Sequence, residues 1–232
     1  MWFDFVGIDP CKAKILEIRM MRKLKNEIKI AGSNLFLISV AFAIALIFLA
    51  VTAGNLLDLS SIGFEVIFPF FAAIAIGEWG KTKADDNYDV ISSQSKSLFK
   101  WVVSRYFAIW GTVSLMAAVA IVAVFIIRGE MPLGELLLTY LPTSFFLSSL
   151  SAYIGLFYSQ EHIATLVCGI IWLVMLLIRS LLRIPGVEYF YLFIRFAGDI
   201  NGVWLVNKAI LSLVGLAIWC AIYIICKERL NS

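Results

Sequence analysis

A chain of 232 residues that is 62% hydrophobic and only 15% charged cannot cover a soluble surface, and its mean hydropathy of +0.93 places it in a bilayer. Six long apolar stretches use up nearly all of the length, which excludes a soluble catalytic domain and leaves one membrane domain. The net charge of +3 is too small to point to nucleic acid, because Lys and Arg in a multispan protein chiefly set topology.

The N-terminal MWFDFVGIDPCK lacks a basic stretch followed by an apolar one, so no cleaved signal peptide is expected. Residues 12–30 place Ile15, Ile18, Met21, Leu24 and Ile28 near helical spacing, with Lys12, Lys14, Arg19, Arg22, Lys23, Lys25 and Lys29 around them. That pattern predicts a basic amphipathic helix lying on the membrane surface within the segment 1–33. The first span is expected at about 34–53. A turn without Lys or Arg leads to a second span at about 62–77, which contains Pro69. A polar segment, 78–100, follows. The third span is read at about 101–127 and the fourth at about 136–158. The tight turn Ser159-Gln160-Glu161-His162 leads to the fifth, at about 163–182. The connection 183–207 carries Tyr189, Phe190, Tyr191, Phe193, Phe196 and Trp204. It is too short for two more spans, and its aromatics suit a membrane interface, so short re-entrant or interfacial helices are expected there. The sixth span is read at about 208–226, and 227–232 is a tail. The fold class is thus all-α: a polytopic membrane protein of six transmembrane helices, with the transmembrane domain at 34–226.

Placing the N-terminus inside puts fourteen of the 19 Lys and Arg residues on the cytoplasmic side. Besides the seven named above, these are Lys81, Lys83, Lys96, Lys100, Arg105, Lys227 and Arg229. Arg128, Arg179, Arg183, Arg195 and Lys208 remain outside. Both termini are then cytoplasmic, in a multi-pass protein of the cell membrane.

Several chemistries are excluded by residue type. Gly80-Lys81-Thr82 looks like the end of a phosphate-binding loop, but the first glycine of that motif would fall at Ala75, and the segment before it is a membrane helix rather than a strand. The chain is therefore not expected to bind nucleotide. It has one histidine, His162, no HExxH, and no Ser-His-Asp arrangement in view, so an intramembrane enzyme is disfavoured. The four cysteines, Cys11, Cys168, Cys220 and Cys226, form no CxxC and read as free thiols. Charges at span depth weigh more, because they are costly there. Glu65 is a candidate partner of Arg179 or Arg183 in an outer-side ion pair; the alternative is that each snorkels separately to headgroups. Ser144, Ser148, Ala152, Gly155 and Ser159, with Ser151 beside them, form a small-residue face on the fourth span. Helix packing is the default reading of such a face, and a path lining the minority one.

The layout resembles the permease subunits of ABC-2 type ABC transporters. The local match is Glu78-Trp79-Gly80-Lys81-Thr82 followed by Val90-Ile91-Ser92-Ser93-Gln94-Ser95-Lys96. The family commonly has an adjacent Gly-Thr after the second span, then a Leu-Leu-Ser-x-Pro-x-Ser-Arg-like stretch. Here Lys81 splits the Gly and Thr, and Gln94 stands where a Pro is common. The resemblance implies a half-transporter that pairs with a second permease, identical or different, and recruits a separate cytoplasmic ATPase. ATP and Mg would be bound by that partner, not by this chain. It further implies that Glu78, Lys81, Thr82, Asp85, Asp86, Asp89, Ser92, Ser93 and Lys96 pass motion from the ATPase to the helices, with Gln160 and Glu161 in a minor role. Permeases of this size are similar to exporters of, or immunity factors against, antimicrobial peptides, which implies an amphipathic peptide as substrate. The rival reading is a stand-alone membrane sensor or immunity protein that binds a peptide or lipid without an ATPase.

Overall fold

The computed structural model describes residues 34–52, 62–80, 98–129, 132–160, 162–184, 186–196 and 203–228. The basic segment 1–33 and the tail beyond residue 228 lie outside these residues. Every regular element among those described is helical. Helix α1 is Asn34–Thr52. One wide π turn, Ile62–Ile67, opens into α2, Phe68–Trp79. Helix α3 is Leu98–Arg128, α4 is Leu133–Phe157 and α5 is Ile163–Leu177. Two short 3-10 turns, Ile178–Arg183 and Val187–Tyr189, precede α6, Val203–Glu228.

Five stretches are long and apolar enough to cross a membrane: α1, the run Ile62–Trp79, α3, α4, and Val203–Lys227 of α6. Helix α5 is apolar but shorter, at 15 residues. The spans begin and end a few residues from where the apolar runs alone placed them, and the start of α6 matters most. It begins five residues before Lys208, so that lysine is carried into the bundle rather than left at its edge.

Depth in the bundle follows from burial. In the 18-residue apolar windows of the α2 run and α4, 61% and 56% are buried, against 28% in α1 and 22% in α6. The α2 and α4 helices therefore form the centre, and the others pack around them. Pro69 stands in the first turn of α2, where its missing N–H removes no helical bond, and the wide turn before it absorbs the disturbance. Helix directions follow from side-chain contacts. Phe42 of α1 stacks on Phe71 of α2 with centroids 4.5 Å apart, and Phe70 stacks on Trp172 of α5 at 4.4 Å. The Trp172 indole also donates to the Val66 carbonyl at 3.0 Å.

A polar seam joins α3, α4 and α6. Tyr106 and Ser148 share a hydrogen bond of 2.7 Å, Trp110 Nε1 donates to Ser144 at 3.0 Å, and Trp219 Nε1 donates to Ser149 at 3.0 Å. Ser114 and Tyr140 share another, of 3.0 Å. The small-residue face of α4 is thus used in hydrogen-bonded helix packing at Ser144 and Ser148, while Ser151 donates to the Ala73 carbonyl of α2 at 2.8 Å. In lipid such bonds and close packing, rather than expulsion of water, hold helices together.

Gly77 marks the tightest crossing. A Cβ there would lie 2.5 Å from Thr165 Oγ1, 3.1 Å from the Thr165 backbone nitrogen and 3.3 Å from Ser151 Oγ. Helices α2, α4 and α5 meet at this point. Gly77→Ala is expected to lower the stability of the detergent-solubilised chain by about 1–3 kcal/mol. Gly111→Ala, at a position with nothing within 4 Å, should leave stability unchanged or raise it. Thermal unfolding of the two variants side by side checks this.

Candidate functional site

Two polar sites sit at opposite ends of the bundle. The first is built on Glu65, in the wide turn that opens the α2 run. Its side chain is fully buried, and so is that of Lys208, six residues into α6. Lys208 Nζ donates to Glu65 Oε1 at 2.5 Å, to Thr143 Oγ1 of α4 at 2.8 Å and to the Leu192 carbonyl at 3.2 Å. An ammonium has three hydrogens, and all three are used. Glu65 accepts further bonds from the backbone N–H of Arg195 to Oε1 at 3.3 Å and of Phe196 to Oε2 at 2.7 Å. The pair therefore ties α2, α4, α6 and the connection before α6 together.

A second cation lies alongside. Arg195 donates to Glu135 Oε2 at 2.7 Å and to Thr139 Oγ1 at 3.5 Å, and its guanidinium sits 4.5 Å from the Trp204 ring centroid. Glu135, Thr139 and Thr143 recur at four-residue spacing on one face of α4, so both cations are served from a single stripe. Asn207, adjacent to Lys208, places Nδ2 3.0, 3.0 and 2.8 Å from the carbonyls of Glu188, Tyr189 and Tyr191, which share its two hydrogens. Tyr191, Leu192, Phe193 and Ile194 are buried beneath these contacts. Burial raises the Tyr191 phenol above its usual value; Arg179 opposes this and Glu65 adds to it, and the hydroxyl stays neutral.

The expected outer ion pair is corrected here. The cation bonded to Glu65 is Lys208, where the sequence pointed to Arg179 or Arg183. Lys208 reads as an edge residue only if the last span starts at it, and α6 starts earlier. Arg179 instead places its guanidinium 5.3 Å from the Phe196 ring centroid. The Arg183 side chain lies outside the described residues. Missed altogether from sequence were Arg195, Glu135, Thr139, Thr143 and Asn207. The Asn207-Lys208 pair inside VWLVNKAILSL and the Glu/Thr/Thr spacing in α4 were the available signals.

The second site lies at the other end of α2. Glu78 is the penultimate residue of that helix. His162 Nδ1 lies 2.7 Å from its Oε2 and 2.9 Å from its Oε1, and Thr165 Oγ1 donates to Oε1 at 2.7 Å. A carboxylate only accepts, so the imidazole hydrogen sits on Nδ1. His162 has φ of 66° and occupies the position just before α5, so a left-handed turn aims its ring back at α2. The Glu78 charge faces the positive end of the α5 dipole. On the adjacent side, Arg105 of α3 donates from Nε to the Trp79 carbonyl at 3.2 Å, neutralising the last carbonyls of α2. Its guanidinium also lies 5.2 Å from the Trp101 ring centroid. Helices α2, α3 and α5 are thus joined at one end.

Of the expected coupling residues, Glu78 is in this cluster and Gln160 lies exposed in the turn before α5. Lys81, Thr82, Asp85, Asp86, Asp89, Ser92, Ser93, Lys96 and Glu161 lie outside the described residues. Cys168 and Cys220 are free thiols. Comparison of the chain with protein-family profiles, with curated proteins and with solved structures finds no match.

The Glu65–Lys208 pair gives a direct test. Lys208→Met leaves a buried carboxylate without its cation and should cost about 3–5 kcal/mol. Glu65→Gln together with Lys208→Met should recover much of that loss. A double-mutant cycle on detergent unfolding should return a coupling energy above about 1 kcal/mol. Additive losses would mean that the two side chains act independently.

Proposed function

We propose that this chain is the transmembrane permease subunit of an ATP-driven ABC exporter, moving a hydrophobic or amphipathic peptide across the cell membrane. In this reading the Glu78 end faces the cytoplasm, both termini are cytoplasmic, and the Glu65 end faces outward. The observation that carries it is the Glu78 cluster. The last turn of α2, directly ahead of the polar segment 78–100, is bonded to the first turn of α5 and capped by α3. A push on that segment would reach three helices at once, which is what coupling to a soluble motor requires.

The six-span layout belongs to the same proposal. Helix α5 is about 22 Å long at 1.5 Å per residue. The 3-10 turn Ile178–Arg183 continues it for about 12 Å at 2.0 Å per residue. Together they match a hydrocarbon core of about 30 Å. The short turns and buried residues from Val187 to Phe196 then form a re-entrant segment on the outer side. The working unit pairs this chain with a second permease and two ATPase subunits that bind ATP and Mg; this chain binds no nucleotide.

The test is a gentle-detergent pull-down of the tagged chain from its native host, with mass spectrometry of stoichiometric partners. A roughly equimolar soluble protein with a Walker A motif is expected. Charge reversal at Asp85, Asp86 and Asp89 should remove it from the eluate while the chain itself remains folded. Recovery of the chain alone under all mild conditions overturns the reading in favour of a stand-alone sensor or immunity protein. Glu78→Ala is expected to keep the partner bound yet cut transport by tenfold or more, read as peptide efflux from proteoliposomes loaded with the complex.

A further inference from the structure

The Glu65 cluster is unusual in what it grips. Its membrane-embedded side chains hold the connection before α6 by its main chain. Glu65 takes the consecutive N–H groups of Arg195 and Phe196, Lys208 takes the Leu192 carbonyl, and Asn207 takes the carbonyls of Glu188, Tyr189 and Tyr191. None of these bonds depends on which side chains the held segment carries. An acceptor that binds two consecutive N–H groups, set beside donors that bind nearby carbonyls, is the complement of a tightly turned polypeptide backbone. The fit is incomplete on the receptor side. The Asn207 amide oxygen is fully buried and has no hydrogen-bond partner among the described residues. A buried acceptor left open is disfavoured, and an N–H from a better-seated backbone would fill it.

We propose that the pocket formed by Glu65, Thr143, Asn207 and Lys208 is a main-chain binding site for a peptide in a turned conformation, occupied in this structure by the chain's own residues 188–196. The self-segment holds the outer end shut, and a peptide leaving through the bundle replaces it bond for bond. No covalent step is involved. Because recognition is through the backbone, the site tolerates many apolar sequences and rejects a backbone whose N–H groups are blocked. The inference deepens the permease reading by naming the ligand class at its outer end and rests on that reading for the direction of travel. The binding test needs no ATPase, so a failed pull-down and a failed binding result remain distinct.

The test uses the full chain in detergent and three fluorescent, end-blocked nonapeptides. One copies residues 188–196, one is a scramble of it, and one is the copy N-methylated at the amides corresponding to Arg195 and Phe196. Anisotropy is read against empty micelles. The copy and the scramble should bind saturably and within about threefold of each other, and the N-methylated copy at least tenfold more weakly. Hydrogen–deuterium exchange of residues 188–196 in the unmodified chain should quicken severalfold when the copy is added. Equal binding of all three peptides, no saturable binding, or exchange unchanged at saturation would each overturn the proposal.

Discussion

A carboxylate and an ammonium buried together at helix depth constrain everything around them. Neither ion can be left in lipid without partners, and neither can turn to water. Glu65 and Lys208 therefore dictate where α2, α4 and α6 stand relative to one another, because the bond lengths between them leave little freedom. The apolar contacts cannot do this. Lipid tails are as apolar as Leu or Ile, so burying those side chains against each other selects no register. The polar seam from Tyr106 to Trp219 and the small-residue crossing at Gly77 add further fixed points, but these hold helices in pairs or threes. The ion pair, with Asn207 beside it, also anchors the connection before α6.

The two ends of the bundle are built differently, and the difference has a mechanical meaning. At the Glu65 end two acids and two cations are interlocked through Thr139 and Thr143, with Glu65, Lys208 and Arg195 buried or nearly so and Glu135 partly exposed. At the Glu78 end one partly exposed carboxylate holds one exposed histidine and one threonine. The first end releases only if several bonds are replaced together. The second is held by fewer ionic contacts, although the close Gly77 crossing of α2, α4 and α5 lies one residue away. In the permease reading, a force applied near Glu78 would reach α2 and α5 together and leave the Glu65 end fixed. That asymmetry suits a subunit driven from the side of the segment 78–100.

Much of the architecture was legible in the amino-acid order because lipid imposes a coarse rule. Long apolar runs must be helices, and the runs in α1, α3, α4 and α6 are unmistakable. What the order hid was the site. Lys208 stands at the edge of the last apolar run, so hydropathy alone assigns it to the membrane surface. Only the helical continuation back to Val203 carries it inward. Glu65 was visible as a costly charge, yet its partner lies 143 positions away, and composition does not rank a lysine above two arginines for that role. Glu135, Thr139 and Thr143 look like ordinary helix residues until two cations are found on the same face.

The aromatic connection shows why side-chain pattern misleads in such a place. Tyr189, Phe190, Tyr191, Phe193 and Phe196 are the residue types that line membrane interfaces, and an interfacial helix is the natural reading of them. In the structure Phe190 is exposed, but Tyr191 to Ile194 turn inward and are covered. Their burial is made possible by the main chain: carbonyls and N–H groups that a loop would normally give to water are given to Asn207, Lys208 and Glu65. A loop can enter an apolar bundle only if its backbone is satisfied there. Two of the three side chains that meet this condition stand in α6, shortly after the segment, and the third, Glu65, lies 130 positions before Arg195 in the turn that opens α2. The fold of the connection is therefore encoded in its receptor more than in itself, and a change in that receptor would release the segment without altering one of its own residues.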